Sequence, residues 1–228
     1  MKQLKSSVYI RSLYNSKKEL ELFFYREETR YAKNQGFLVP NIVEFMHDVT
    51  ENGQIGALRK RVFQLGVMDI IRLVWWNKKQ LLKIAKKDFA TGITILIQIE
   101  VLKILKESPQ LIILSDYITD LALALNNKAI YTNYVELMRQ AHTPLAFFTN
   151  NLSLFTKRCI EWSIEPDCIL TPVNVSGYEM NPDKKTVESS LRQIPKESIV
   201  AVTTAETKEQ LLYLKKVGIR KMVVNWFK

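Results

Sequence analysis

Residues 197–227 read ESIVAVTTAETKEQLLYLKKVGIRKMVVNWF, and their order is strand, helix, strand. Residues 198–203 (SIVAVT) form an unbroken apolar, β-branched run, the pattern of a strand buried on both faces. Residues 207–217 are rich in helix formers, with Thr207 placed to cap the first turn and Gly218 to end the last. Residues 221–227 (KMVVNWF) return to strand. Two such strands joined by a helix make a βαβ unit, because parallel neighbours need a crossover.

The same alternation is read upstream. Strands are expected at residues 68–74 (MDIIRLV), 93–99 (ITILIQI), 111–114 (LIIL), 128–132 (KAIYT), 144–149 (PLAFFT) and 168–173 (CILTPV). Helices are expected at 77–87, 100–107, 118–126, 134–141, 153–163 and 184–193. Eight strands, each joined to the next by a helix, is the count that closes a parallel (βα)8 barrel. An open doubly wound sheet is the alternative. Residues 1–66 read as a mostly helical N-terminal extension, with helices at 16–35 and 54–65. Residues 8–13 and 37–45 are further strand candidates. No Gly/Ser linker or low-complexity segment divides the chain, so residues 1–228 are taken as a single α/β domain.

The C-terminal stretch resembles the last two units of (βα)8 barrels of the aldolase and phosphate-binding type. There a strand is followed by a helix that ends in a Leu-Lys-Lys-x-Gly turn, here residues 214–218, and a Val-rich strand closes the barrel. Residues 166–182 (PDCILTPVNVSGYEMNP) resemble a barrel strand running into a functional loop. The resemblance is at the level of the superfamily, and it implies a site at the C-terminal ends of the strands.

The 228 residues carry 33 Lys and Arg against 23 Asp and Glu, a formal charge of +10, and are 47% hydrophobic. That composition supports an ordinary core without disulfides or metals. Between positions 59 and 87 stand Arg59, Lys60, Arg61, Arg72, Lys78, Lys79, Lys83, Lys86 and Lys87, with Asp69 the one acid. They read as a solvated face or as an anion-attracting surface. No aromatic residues interleave with the lysines, which argues against stacking on single-stranded nucleic acid. Cys159 and Cys168 have no metal-ligand spacing and read as reduced, buried thiols. His47 and His142 read as structural. The polar N-terminus and the short apolar runs give neither a secretory signal nor a span, so a cytoplasmic location without membrane contact is expected.

Reading the expected strand ends in order yields the candidate site. Arg72, inside an apolar strand, would face the barrel mouth and hold an anion, or pair with an acid such as Asp116 or Glu100, since an unpaired buried Arg is costly. Asp116, directly after LIILS, is the best placed acid or base, with Glu100 and Glu206 behind it. Asn133, Asn150, Asn174, Thr203, Thr204 and Asn225 would orient a polar ligand, though Asn and Thr at such junctions also cap helices. Tyr178 and Glu179, beside Gly177 in the longest loop, would form a lid. No lysine stands at a catalytic strand end for a Schiff base, and there are too few histidines for a metal hydrolase. There is no G-x-S-x-G, G-x-G-x-x-G or P-loop. The expectation is a cofactor-independent, metal-free lyase or isomerase of a small polar, anionic metabolite, or else a non-enzymatic basic barrel that binds RNA or a protein partner. A homo-oligomer is compatible with either.

Overall fold

The computed structural model describes residues 8–9, 24–26, 36–40, 42–77, 89–106, 109, 111–203, 207–219 and 221–224. Six strands form a continuous parallel sheet: β3 (Gly36–Val39), β4 (Leu111–Leu114), β5 (Leu145–Phe148), β6 (Cys168–Pro172), β7 (Ile199–Thr203) and β8 (Lys221–Val224). Two short strands precede them, β1 (Val8–Tyr9) and β2 (Phe24–Arg26). β2 pairs parallel to β3, whereas β1 runs antiparallel to both β2 and β8. The strand order thereby closes on itself, but not as eight parallel βα units.

The helices are α1 (Ile42–Phe63), α2 (Val67–Asn77), α3 (Phe89–Leu105), α4 (Asp116–Ala124), α5 (Lys128–Ala141), α6 (Leu152–Trp162), α7 (Lys184–Leu191) and α8 (Lys208–Lys216), with a 3-10 turn at Lys196–Ser198. α1 is broken at Gly53, whose φ of 69° lies in the left-handed region that glycine enters without steric cost.

Three expected strands are helices. Residues 68–74 lie in α2, where Ile70, Leu73 and Asn77 point inward at i, i+3 and i+7. Residues 93–99 lie in α3, a helix buried on most of its surface through Leu96, Ile97, Ile99, Val101, Leu102 and Ile104. Such a helix shows no polar stripe and reads like a buried strand over any short window. Residues 128–132 open α5, whose buried Ile130, Tyr131, Tyr134, Leu137 and Met138 follow the helical repeat. Their places in the sheet are taken from the N-terminal segment. That segment is accordingly not mostly helical: β2 falls inside the stretch 16–35 expected to be helix, and residues 37–45 divide between β3 and the start of α1. The expected helix 54–65 is the second half of α1, whereas residues 78–87 lie outside the described residues.

Side chains alternate across the strands between two apolar layers. Phe37, Val39, Ile112, Leu114, Phe147, Ile169, Ile199, Ala201 and Met222 pack under the helices. Leu38, Leu111, Ile113, Ala146, Phe148, Cys168, Leu170, Val200 and Val202 form the second layer, which strands alone supply. Burial of both faces is why these strands read as unbroken apolar runs.

Candidate functional site

All six strands of the parallel sheet point the same way, so the residues just past β4 and β5 emerge side by side. Ser115 continues the ladder, its N–H donating to Val39 O at 2.8 Å. Its alternation places it on the strand-only side with Leu111 and Ile113. Ser115 holds the N-cap position of α4 yet makes no capping bond; its Oγ is buried without a hydrogen-bond partner. A buried hydroxyl left unpaired costs about 1–3 kcal/mol, so this group is notable.

Asp116 follows, in the first turn of α4. Its Oδ2 accepts from Nδ2 of Asn150 at 3.0 Å. Burial pushes its pKa up, opposed by the Asn150 hydrogen bond and by local backbone N–H groups, with Glu179 adding a further upward push. One turn along the same helix stands Asp120. Its Oδ1 accepts from the Thr149 hydroxyl at 2.5 Å and its Oδ2 from the Asn150 N–H at 2.9 Å. Burial lifts Asp120 to a pKa of about 6 despite those hydrogen bonds, and the Asp116 charge lifts it further. Asp120 therefore fixes the turn after β5 that presents Asn150. The Asn150 Oδ1 is itself buried and without a partner. Two unpaired polar atoms thus accompany two carboxylates at one edge of the sheet.

The loop after β6 closes the arrangement. Asn181 N–H donates to Asn150 O at 3.2 Å, tying loop to turn. Asn174 organises the loop: its Oδ1 accepts from Ser176 Oγ (2.8 Å) and Tyr178 N–H (2.9 Å), and its Nδ2 donates to Tyr178 O (2.8 Å). Met180 is buried beneath, and Gln210 clamps the loop base, donating to Val173 O at 2.7 Å and accepting from Val175 N–H at 2.9 Å. Tyr178 and Glu179, the expected lid, are exposed. The loop that carries them is laced by its own hydrogen bonds.

The other singled-out residues fall partly where expected and partly elsewhere. Arg72 lies in the middle of α2 and is exposed, so it does not sit at a strand end. Asn133 lies inside α5 and donates to Thr94 Oγ1 of α3 at 3.0 Å, a tie between helices. Glu100 is in α3, buried beside Arg61. Thr203 ends β7 and is buried, whereas Thr204, Glu206 and Asn225 lie outside the described residues. Asn151 and Thr207 are helix caps, accepting from Leu154 N–H and Gln210 N–H at 3.1 Å each. His142 ends α5 in the left-handed conformation, and both cysteines are free and buried, their thiols pushed up to about 12 by desolvation.

Asp120 and Ser115 were not singled out from the sequence. The signal for Asp120 was its i+4 spacing from Asp116, which puts both carboxylates on one helix face.

Two further polar features lie elsewhere. His47, Asp48 and Glu51 bring ligand atoms within 4.8 Å of one another on α1. Asp48 is already engaged there, by Lys60 at 2.6 Å and Arg61 at 3.2 Å. A groove of about 310 Å³ runs between α6 and α7, lined by Thr156, Lys157, Ser189 and Ser190 among others. Among the described residues no helix is long and apolar enough to cross a membrane. No protein-family model, curated protein or solved structure matches the chain.

Proposed function

We propose that the protein binds a small polar metabolite at the C-terminal ends of β4 and β5 and acts on it as a lyase or isomerase, with Asp116 as acid or base. The observation that carries this reading is the cluster itself: a carboxyl group raised by burial, held by Asn150, beside two buried polar atoms that lack partners. Buried polar groups without partners are what a ligand's hydroxyls or amines would satisfy. Asp120 acts as a positioning residue through Thr149 and the Asn150 N–H. A raised carboxyl pKa moves toward working pH and favours proton transfer in both directions. In an isomerisation of a hydroxy-carbonyl ligand, Asp116 would take the proton from the carbon that bears the hydroxyl and deliver it to the carbonyl carbon, while the hydroxyl proton passes to the former carbonyl oxygen, so that the product is an isomer of unchanged charge.

The ligand's charge is revised from the first expectation. The anion-holding role rested on Arg72, which lies on α2. Neither Asp116 nor Asp120 is ion-paired with a described lysine or arginine, and their neighbour Glu179 is acidic. This supports a neutral polyhydroxylated or cationic ligand over an anionic one. The closed strand order, with β1 antiparallel in place of a parallel unit, further supports reading the fold as a derivative of the (βα)8 barrel.

A thermal-shift panel of small polyols, amines and hydroxy acids tests the proposal. A ligand present at 100 times its Kd stabilises the native state by about 2.7 kcal/mol. At least one polyol or amine should raise the Tm of the wild type, and Asp116→Asn should abolish that rise while keeping the unliganded Tm. No stabilisation by any member, or equal stabilisation of Asp116→Asn, would count against it.

A further inference from the structure

In a chain with a formal charge of +10, the ends of β4 and β5 gather three carboxylates. Asp116 and Asp120 stand one turn apart on α4, and Glu179 in the loop after β6 pushes the Asp116 pKa up through its like charge. The segments that leave β4, β5 and β6 are described without a break to the next helix, and among the described residues none of the three acids is paired with a lysine or arginine. Asp116 and Asp120 are half-buried and Glu179 is exposed, so the cluster is open to solvent.

The loop fixes the third acid in place. Asn174 bonds both the N–H and the carbonyl of Tyr178, and Asn181 N–H reaches Asn150 O. Between these ties Glu179 takes a φ of 58°. That left-handed conformation costs a residue with a Cβ about 1–2 kcal/mol. A strained backbone that sets one carboxylate beside another is unfavourable twice over, and such arrangements persist where a function uses them.

The polar atoms beside the acids are free to accept. Asn150 Nδ2 donates to Asp116, which leaves Asn150 Oδ1 as an acceptor, buried and without a partner. Ser115 is 3% exposed, and its Oγ also lacks a partner. Thr149 N–H continues the β5 ladder to Leu170 O at 3.0 Å. Alternation therefore turns Asn150 to the side of Ala146 and Phe148, as it turns Ser115 to the side of Leu111 and Ile113. Both side chains aim to one side of the sheet.

We propose that the metabolite bound here carries a primary ammonium group, held by Asn150 Oδ1 and Ser115 Oγ in the field of Asp116, Asp120 and Glu179. The proposal rests on the reading of these strand ends as a ligand site and names the ligand's charge. An ammonium has three donors and no acceptor, which matches unpartnered acceptors. A hydroxyl would satisfy one of them and leave the carboxylates without a counter-charge. The three carboxylates do not bring their oxygens within 4.8 Å of one another, as the ligands of a single metal ion would. The ammonium would also stabilise the negative charge that develops on the substrate when Asp116 takes its proton.

Calorimetric titration of the full chain with two matched pairs tests this: 3-amino-1,2-propanediol against glycerol, and glucosamine against glucose. Each amine should bind at least about tenfold tighter than its alcohol counterpart, because charge-assisted hydrogen bonds are roughly twice as strong as neutral ones. Glu179→Gln should weaken the amines by about threefold and leave the alcohols unchanged. Ser115→Ala should weaken the amines by about fivefold and keep or raise the Tm, since it removes a buried hydroxyl that has no partner. Alcohols that bind as tightly as their amines would overturn the ammonium and leave the ligand site standing. No binding by any of the four compounds would overturn both. Amine binding untouched by Glu179→Gln and Ser115→Ala would place it elsewhere on the protein and overturn the proposal.

Discussion

Asp116 and Asp120 show how one helix sets two carboxylates to different tasks. Both are raised by burial, but Asp120 spends its oxygens on Thr149 and the Asn150 N–H. A consequence for stability follows from its pKa of about 6. The folded value lies above the unfolded one near 4, so between those values the native state holds more protons. Stability therefore falls as pH rises through that window, by about 3 kcal/mol if the two-unit difference is fully expressed. Asp48, Glu136 and Asp183 are shifted the other way, by hydrogen bonds and cations, and lose their contributions only as pH falls toward or below 4. Urea titrations between pH 4 and 7 should show the decline in the wild type and a flatter profile in Asp120→Asn; an unchanged slope in the variant would remove Asp120 from this role. At this scale the sequence was informative where a residue directly follows a strand. Asp116 and Asn150 were legible because LIIL and PLAFFT end immediately before or within reach of them. Asp120 was not, because its importance depends on a partner 29 positions away, Thr149.

Among the elements, the helices after β3 are tied by a buried ion cluster. Arg61, 1% exposed, pairs with Glu100 of α3 and lies 3.2 Å from Asp48. Lys103 approaches Glu100 at 3.5 Å, and the Arg61 guanidinium lies 5.5 Å from the Phe45 ring. Removing one partner of such a cluster strands the others. Arg61→Met should destabilise the fold by about 3–5 kcal/mol, and adding Glu100→Leu should recover part of that loss, because the unpaired buried carboxylate is then gone. Chemical denaturation of the single and double variants measures both steps. A double variant no more stable than the single would show that Glu100 is not the stranded charge. Helix type was misread in this same region. In α3 apolar side chains cover more than one face, which erases the periodicity that separates a helix from a buried strand. The C-terminal units were legible because each strand there is short and is flanked by turn residues and a capped helix, as with Asn151 before α6 and Thr207 before α8.

For the whole molecule, the parallel sheet places the C-terminal ends of its strands on one side, and this is what brings Asp116, Asn150 and the β6 loop together. The α/β class and the order of the last four strands followed from the sequence, whereas the strand expected at residues 128–132 between β4 and β5 is part of α5. β1 falls inside the strand candidate at residues 8–13, but β2 was read as helix, because a three-residue strand carries no periodic signal; closure of the sheet gives both their meaning. The account rests chiefly on the polar surface at the strand ends. Its most direct test is a crystal of the full chain soaked with a mixture of small polyols and amines. The account predicts density within hydrogen-bond reach of Ser115 Oγ, Asn150 Oδ1 and the Asp116 carboxyl. Compounds bound only in the groove between α6 and α7, with the ends of β4 and β5 empty, would contradict it.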